Sequence, residues 1–472
     1  MPRRAVMRNR GIVISAVIVF FLGNLCLADA GTDATNENVE LKARIEKLEK
    51  ELAELKQMVK QQDEARIKEA NNIERRTANI EQKTMNVEPA KPPSDKKPVL
   101  AGLDVQIYGR IKADAVYDSA RMDLGNYAKW VRPDRGRNDH SQFDLTANET
   151  RLGMWIYGPN DQEMKTSGRV EMDFYGGGTA ENKSVPMMRH AYLNFEWPDD
   201  KFSILAGQTS DVISPLWPDT LNYTVGWWVG NIGYRRPQIR LTKIYSIDKD
   251  TDLKFEGAIA RTIGRLNSNI LTADQSDSGE DAGFPSIQER VSLTLPLLGY
   301  KPTTIGVSSH YAKEAYDVNA AGTSKIAAHR EDFDSWSLNL DLQQPVNSWL
   351  SFKGELFMGQ DLDAYLGGIG QGVNTARDKE IRSKGGWAQA SFGPWGKWSF
   401  NLGVSADSAN KDDLEGMAGD KRKYNQSIFG NVLYNLDKNA QIGFELSQWH
   451  TDYVDLGDAD SVRAQTSFIY KF

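Results

Sequence analysis

The chain ends Val462-Arg463-Ala464-Gln465-Thr466-Ser467-Phe468-Ile469-Tyr470-Lys471-Phe472. Successive side chains of a strand point to opposite faces. Val462, Ala464, Thr466, Phe468, Tyr470 and Phe472 therefore share one face, and Arg463, Gln465, Ser467 and Lys471 share the other, where Ile469 is the one apolar residue. A strand with lipid on one side and water on the other must alternate in this way. A sandwich strand in a soluble protein alternates too, so the pattern has to recur along the chain before it decides the fold.

It does recur. Working back from the C-terminus, strand-length alternating stretches fall at 105–117, 142–157, 167–175, 188–197, 202–209, 237–247, 252–264, 287–298, 303–313, 333–344, 349–361, 385–395, 397–406, 424–436, 440–450 and 462–472. The gaps between them are alternately short, with turn chemistry such as Pro198-Asp199-Asp200-Lys201 and Pro345-Val346-Asn347-Ser348, and long. Antiparallel strands that cross a membrane need tight turns on one side and tolerate long loops on the other. The predicted fold is all-β, a transmembrane antiparallel β-barrel of about 16 strands spanning 103–472. Composition hides this: 40% hydrophobic and 26% charged residues look soluble, because a barrel turns only half of each strand to lipid. Trp349, Trp395 and Trp398, beside short turns, fit an interfacial aromatic belt.

Three segments precede the barrel. Residues 1–30 carry Arg3, Arg4, Arg8 and Arg10, an apolar run from Ile12 to Leu22, and Ala28-Asp29-Ala30, the features of a secretory signal peptide. Cleavage after Ala30 removes the single cysteine, Cys26, and leaves neither disulfides nor thiol ligands. In 31–86, Leu41, Ile45, Leu48, Leu52, Leu55 and Val59 recur at alternating spacings of four and three, an α-helical coiled-coil seam that weakens toward Arg76 and Lys83. β-branched a positions with leucine at d lean toward two strands, and the polar d positions blur that preference. Residues 87–102, rich in proline and lysine, form an extended linker. The coiled coil is expected in the periplasm, where it clamps subunits together or reaches toward peptidoglycan.

Function then depends on what narrows the lumen. Loop 210–236 is too apolar for a free solvated loop, and it is the candidate constriction, with Asp211, Trp217, Asp219, Tyr223, Trp227, Trp228, Arg235 and Arg236 as its key residues. Its aromatics anchor the loop to the wall or to a neighbouring subunit, or else form a stacking track for a sugar; anchoring is the commoner role. Arg110, Lys112, Arg151, Arg169, Arg240 and Arg290 are candidate lumen cations, which favour anions over cations in a pore. Pairing with acids on the same strand, as for Arg169 with Glu171 and Asp173, Lys254 with Glu256, and Lys353 with Glu355, reduces such a ladder to wall bracing. By that criterion Arg110, Lys112, Arg151 and Arg240 are the least neutralised. The net charge of −7 argues against nucleic acid as a partner. The five histidines carry no catalytic motif, no His/Cys set suggests a metal, and no cofactor is expected.

A terminal aromatic at the rim of the last strand is similar to the assembly signal of bacterial outer-membrane proteins. Ile107-Tyr108-Gly109-Arg110-Ile111-Lys112-Ala113-Asp114-Ala115-Val116-Tyr117-Asp118, Thr150-Arg151-Leu152-Gly153, Arg189-His190-Ala191-Tyr192, Ala206-Gly207-Gln208-Thr209-Ser210 and Pro218-Asp219-Thr220-Leu221-Asn222 resemble DcaP-like outer-membrane porins. The resemblance implies a homotrimeric channel with a periplasmic coiled coil and a preference for small anionic solutes such as dicarboxylates, with Arg110, Lys112 and Arg151 as lumen cations. The second half departs from the pattern, chiefly in its loops. The expectation is a passive porin of the bacterial outer membrane, in contact with lipid and lipopolysaccharide, and not an enzyme. The alternatives are a tether between outer membrane and cell wall, or a barrel enzyme of lipase or protease type.

Overall fold

The alternation becomes a closed wall in the computed structural model, which describes residues 50, 104–133, 140–158, 163–177, 184–264, 277–298, 300–319, 327–417 and 419–472. The expected signal peptide, coiled coil and linker lie outside the described residues, apart from the helical Lys50. The strands are β1 (Asp104–Asp118), β2 (Gln142–Thr146), β3 (Arg151–Tyr157), β4 (Lys165–Asp173), β5 (Met187–Trp197), β6 (Phe202–Ser210), β7 (Arg235–Ser246), β8 (Asp252–Ala260), β9 (Ser286–Leu295) and β10 (Thr303–Asn319). They continue with β11 (Ala327–Pro345), β12 (Leu350–Gln360), β13 (Val373–Asn374), β14 (Lys379–Glu380), β15 (Arg382–Trp395), β16 (Trp398–Ala409), β17 (Arg422–Asn435), β18 (Ala440–Tyr453) and β19 (Ala459–Lys471).

All but β13 and β14 join one antiparallel sheet, which closes where β1 pairs with β19, Arg110 opposite Lys471 and Asp118 opposite Arg463. Closure leaves no strand edge, the condition for crossing lipid with strands. Both β2 and β3 pair with β1, so they are halves of one interrupted crossing and the barrel has 16 crossings. No helix among the described residues is long and apolar enough to cross a membrane.

The sidedness is that of a membrane wall. Outward residues such as Ile107, Phe143, Leu145 and Leu356 are exposed, while the inward Asp114, Asn339, Glu355, Gln389 and Gln465 are buried. Exposed apolar bands of this extent belong against lipid. Trp349, Trp395 and Trp398 are exposed beside the short turns and touch aromatic neighbours, with Trp398 and Tyr434 ring centroids 4.5 Å apart. The short turns are Asx-type: Asn347 Oδ1 accepts from the Trp349 and Leu350 amides, and Asp437 Oδ1 accepts from the Asn439 and Ala440 amides.

Two stretches depart from the alternation. The strand expected over 142–157 is broken at 147–150, where the Thr150 amide donates to the Ala147 carbonyl and Thr150 Oγ1 accepts from the Lys112 amide. The break delivers Glu149 into the lumen beside Arg110 and Lys112. The hairpin β10–β11 extends past the expected ends, pairing Ala315 with Asp332 and Asp317 with Arg330. Beyond the lipid band a ribbon needs no apolar face, so its polarity pattern stops marking strand while its backbone pairing continues.

Candidate functional site: a lumen narrowed by inward-folded loops

Loop 211–234 leaves β6 and runs along the inner wall. Its backbone is held strand by strand. The Val212 amide donates to Gln288 Oε1 of β9, the Leu216 amide to Glu355 Oε1 of β12 at 2.7 Å, and the Asp219 amide to Gln389 Oε1 of β15 at 2.6 Å. The Leu221 amide donates to Glu445 Oε2 of β18 at 2.7 Å, and the Leu221 carbonyl accepts from Gln465 Nε2 of β19 and Lys112 Nζ of β1. Buried polar side chains on the wall thus satisfy the amides and carbonyls of a segment that has no ladder of its own. Gly230 shows how tight the seat is: its φ is +120°, and a Cβ there would lie 2.3 Å from the Gly386 carbonyl oxygen.

Two further loops pack onto this one, a feature the sequence does not reveal. From 119–133, Met122, Ala128 and Val131 form a buried cluster with Val229, Trp449 and Ala459. From 361–381, Leu362 and Tyr365 pack with Ile213, Ile232 and Phe357. Tyr365 is the hub of that contact. Its hydroxyl lies 2.6 Å from Ser286 Oγ, Arg236 stacks 3.8 Å from its ring centroid and His310 stacks 3.9 Å away, and burial pushes its pKa up to about 12. The Tyr365 carbonyl accepts from the Gly233 amide and the Leu366 carbonyl from the Trp228 amide.

The aromatics of loop 211–234 mostly pack among themselves and their neighbours. Tyr223 meets Tyr175 at 3.9 Å and Tyr127 at 5.6 Å, and Trp227 is buried against Trp228 and Tyr234. Trp217 alone of the named aromatics is well exposed, and it faces the cavity described next. Asp211 and Arg236 are both buried and paired at 2.7 Å, so they brace the loop base and do not line the pore.

Space remains between the inward loop and the wall. A cavity of about 420 Å³ is lined by Arg110, Arg151, Arg189, Arg235 and Lys353 together with Glu149 and Asp219. A second, of about 460 Å³ toward the short-turn end, shares Arg110, Glu149, Asp219 and Thr220 with the first. Those four residues mark the neck between the two.

The cations are more thoroughly paired than neighbours along one strand suggest. Arg110 and Lys112 both contact Glu149, so these two are neutralised from outside their own strand, whereas Arg151 at 3.5 Å from Glu171 and Arg240 at 3.9 Å from Glu256 are more loosely paired than Arg169 and Arg290. The partners come from other strands or from the break at 147–150, which spacing along one strand does not show. Lys112 is buried, with Asp114 at 3.5 Å, and serves as a loop anchor. Arg290 is buried between Asp341 at 2.7 Å and Glu256 at 3.2 Å, a wall brace. Lys254 pairs with Glu256 as expected, whereas Lys353 reaches Asp219 at 2.8 Å and not Glu355. Arg169 pairs with Glu171 at 2.7 Å, but Asp173 pairs with Arg189, which the sequence marks only within the segment 189–192 and not as a lumen cation.

Exposure separates the arginines from the carboxylates of β4, though not from Asp219, which is 53% exposed at the neck and held by Lys353. The side chains of Arg110, Arg151 and Arg169 are 27%, 21% and 23% exposed, whereas Glu171 and Asp173 are 1% and 0% exposed. A solute in the cavity meets the Arg110 and Arg151 guanidinium groups and, at the neck, the Asp219 carboxylate paired with Lys353, while Glu171 and Asp173 lie behind.

Histidines and acids elsewhere have structural partners. His190 lies 3.0 Å from Thr209 Oγ1, His310 bonds Ser335 and Ser337, and His450 sits between Asp452 and Asp460. Glu314, Asp361 and Asp363 bring carboxylate oxygens within 4.8 Å of one another. Glu314 comes from β10 and Asp361 and Asp363 from the segment after β12, which is why no motif in the sequence announces the grouping.

A closed 16-strand antiparallel barrel with an apolar outer band and a lumen narrowed by inward-folded loops defines an outer-membrane channel of porin architecture. The family model for the DcaP outer membrane protein matches residues 25–261, half of the chain, and the chain belongs to that family. Among solved structures it is similar to the outer membrane channel DcaP of Acinetobacter baumannii, with 18% identity, 79% of this chain and 98% of that one covered, and a TM-score of 0.59. It is also similar to Pseudomonas putida OprB, at 11% identity, 79% and 94% coverage and a TM-score of 0.49. An anion-selective porin from Comamonas acidovorans matches at 12% identity, 78% and 100% coverage and a TM-score of 0.48. No curated protein sequence matches the chain.

Proposed function

We propose that the barrel is a passive pore that favours small anions, dicarboxylates among them, and that it performs no covalent chemistry. The observation that carries this reading is the lining of the 420 Å³ cavity, where five cations outnumber two carboxylates, the exposed Asp219 is held by Lys353, and Glu171 and Asp173 are buried behind the arginines. Fixed cations at a neck lower the entry barrier for anions and raise it for cations. Two partly exposed cations in the cavity lining, Arg110 and Arg151, suit a solute with two separated carboxylates. The working assembly in this reading is a homotrimer whose N-terminal coiled coil, beyond a secretory signal, stands in the periplasm. Two charge-lined cavities within the lumen favour this over the tether.

The test is solute entry into proteoliposomes carrying the full mature chain, followed by swelling. Small dicarboxylates should enter faster than neutral polyols of the same size and much faster than diamines. Equal rates for all three would contradict anion preference, and the absence of swelling with any solute would contradict the pore.

A further inference from the structure

The outer wall is not uniformly convex. On β15 the outward residues Gly386, Ala388 and Ala390 are small, while the strands on either side carry outward Leu356 and Met358 on β12 and Leu402 and Val404 on β16. The register sets Leu356 beside Gly386, and Gly354 and Val404 beside Ala388. The result is a furrow parallel to the strands, made of two adjoining apolar concavities of about 880 and 760 Å³ that share Leu356, Ala388 and Val404. At its long-loop end the lining turns polar, with Lys384, Ser408 and Tyr424 in one row across the sheet. Ser408 and Tyr424 already donate to the Lys423 carbonyl and to Gln426. Lys384 is exposed, projects outward, and has no ion-pair partner among the described residues.

We propose that this furrow seats an acyl chain of a phosphorylated glycolipid of the outer leaflet, with a headgroup phosphate on the Lys384 ammonium. The proposal rests on the outer-membrane reading with the long loops facing outward. Dimensions and charge both favour it. From Lys384 to Ala390 the strand advances roughly 20 Å at about 3.3 Å per residue, so a chain lying on Gly386, Ala388 and Ala390 keeps its headgroup level with the lysine. The ammonium is a point charge with three donors, suited to phosphate. A neutral lipid would leave Lys384 without a partner at the edge of the apolar band.

The test uses the full mature chain, delipidated in detergent and titrated with hexa-acylated, bis-phosphorylated lipid A, with bound lipid counted by native mass spectrometry. Folding of each variant is checked by its heat-modifiable migration. Wild type should retain the lipid, and Lys384→Glu and Ala388→Leu should each weaken retention at least fivefold. Diacylglycerol should not be retained. Equal retention by wild type and both folded variants overturns the proposal. So does Ala388→Leu splitting the assembly into single protomers with retention unchanged, which would make the furrow a contact between copies. Bilayer conductance is recorded on the same samples: silence there sinks the channel reading whatever the lipid result, whereas normal conductance with equal retention sinks only the lipid site.

Discussion

The difference between Arg110 and Lys112 shows how much a single position along a strand decides. Both project inward from β1 and both touch Glu149, yet Arg110 keeps a partly exposed guanidinium at the neck while Lys112 is buried under the Leu221 carbonyl. Removing Arg110 and Arg151 together (Arg110→Ala with Arg151→Ala) should therefore shift the reversal potential under a salt gradient toward zero, with folding retained. An unchanged potential would remove these two from the selectivity determinants. Lys112→Met should act on stability instead. Breaking one side of a buried pair costs about 3–5 kcal/mol, seen as a lower unfolding temperature and noisier open-channel current with little change in ion preference. The sequence showed that both residues face inward, because inwardness follows from parity. It did not show which one stays in contact with water, because Glu149 enters through a break in the next strand that polarity alone reads as continuous.

Loops acting as elements decide the shape of the lumen. The apolar content of 210–236 was enough to predict an inward fold, since its aromatics have nowhere else to be buried. The loops at 119–133 and 361–381 gave no such signal, because their buried residues are few and spaced without period, and their role is set by contacts made across the barrel. Tyr365 joins two of these loops. Tyr365→Ala should cost about 3 kcal/mol or more and raise both conductance and current noise. Tyr365→Phe keeps the stack on Arg236 and loses the Ser286 bond, a loss of about 1 kcal/mol. Comparable conductance and noise in the two variants would contradict the hub.

At the long-loop end, Asp413 is bound by Arg382 at 2.8 Å and Lys379 at 2.5 Å. Burial alone would raise its pKa, but the hydrogen bonds from Arg382 and Lys379 outweigh burial and hold it at about 2. Because this lies below the ordinary carboxylate value of about 3.9, the stabilisation is complete above that value and is lost as pH falls through about 2. Proteolysis of the loop near Asp413 should be slow from neutral pH down to mildly acidic conditions and fast only in strong acid. Asp413→Asn should be cleaved quickly at every pH. A rise in wild-type cleavage already at neutral pH would contradict the assignment.

For the whole molecule, all sixteen crossings were legible, because alternation, turn chemistry and the short-long rhythm of the gaps repeat one physical rule from β1 to β19. Strand ends were less so where the wall leaves lipid, as in β10–β11. The electrostatic sense of the lumen was the least legible property, since it depends on which carboxylates end up behind the arginines, and those pairings cross strands. That sense is also the central claim, and single-channel recording of the full mature chain in a planar bilayer under a salt gradient tests it most directly. The predicted result is stepwise openings in groups of three, with a reversal potential of the sign that marks anion preference. A reversal potential of the opposite sign would contradict the account of the lumen, and a correctly folded barrel that passes no current would contradict the channel itself.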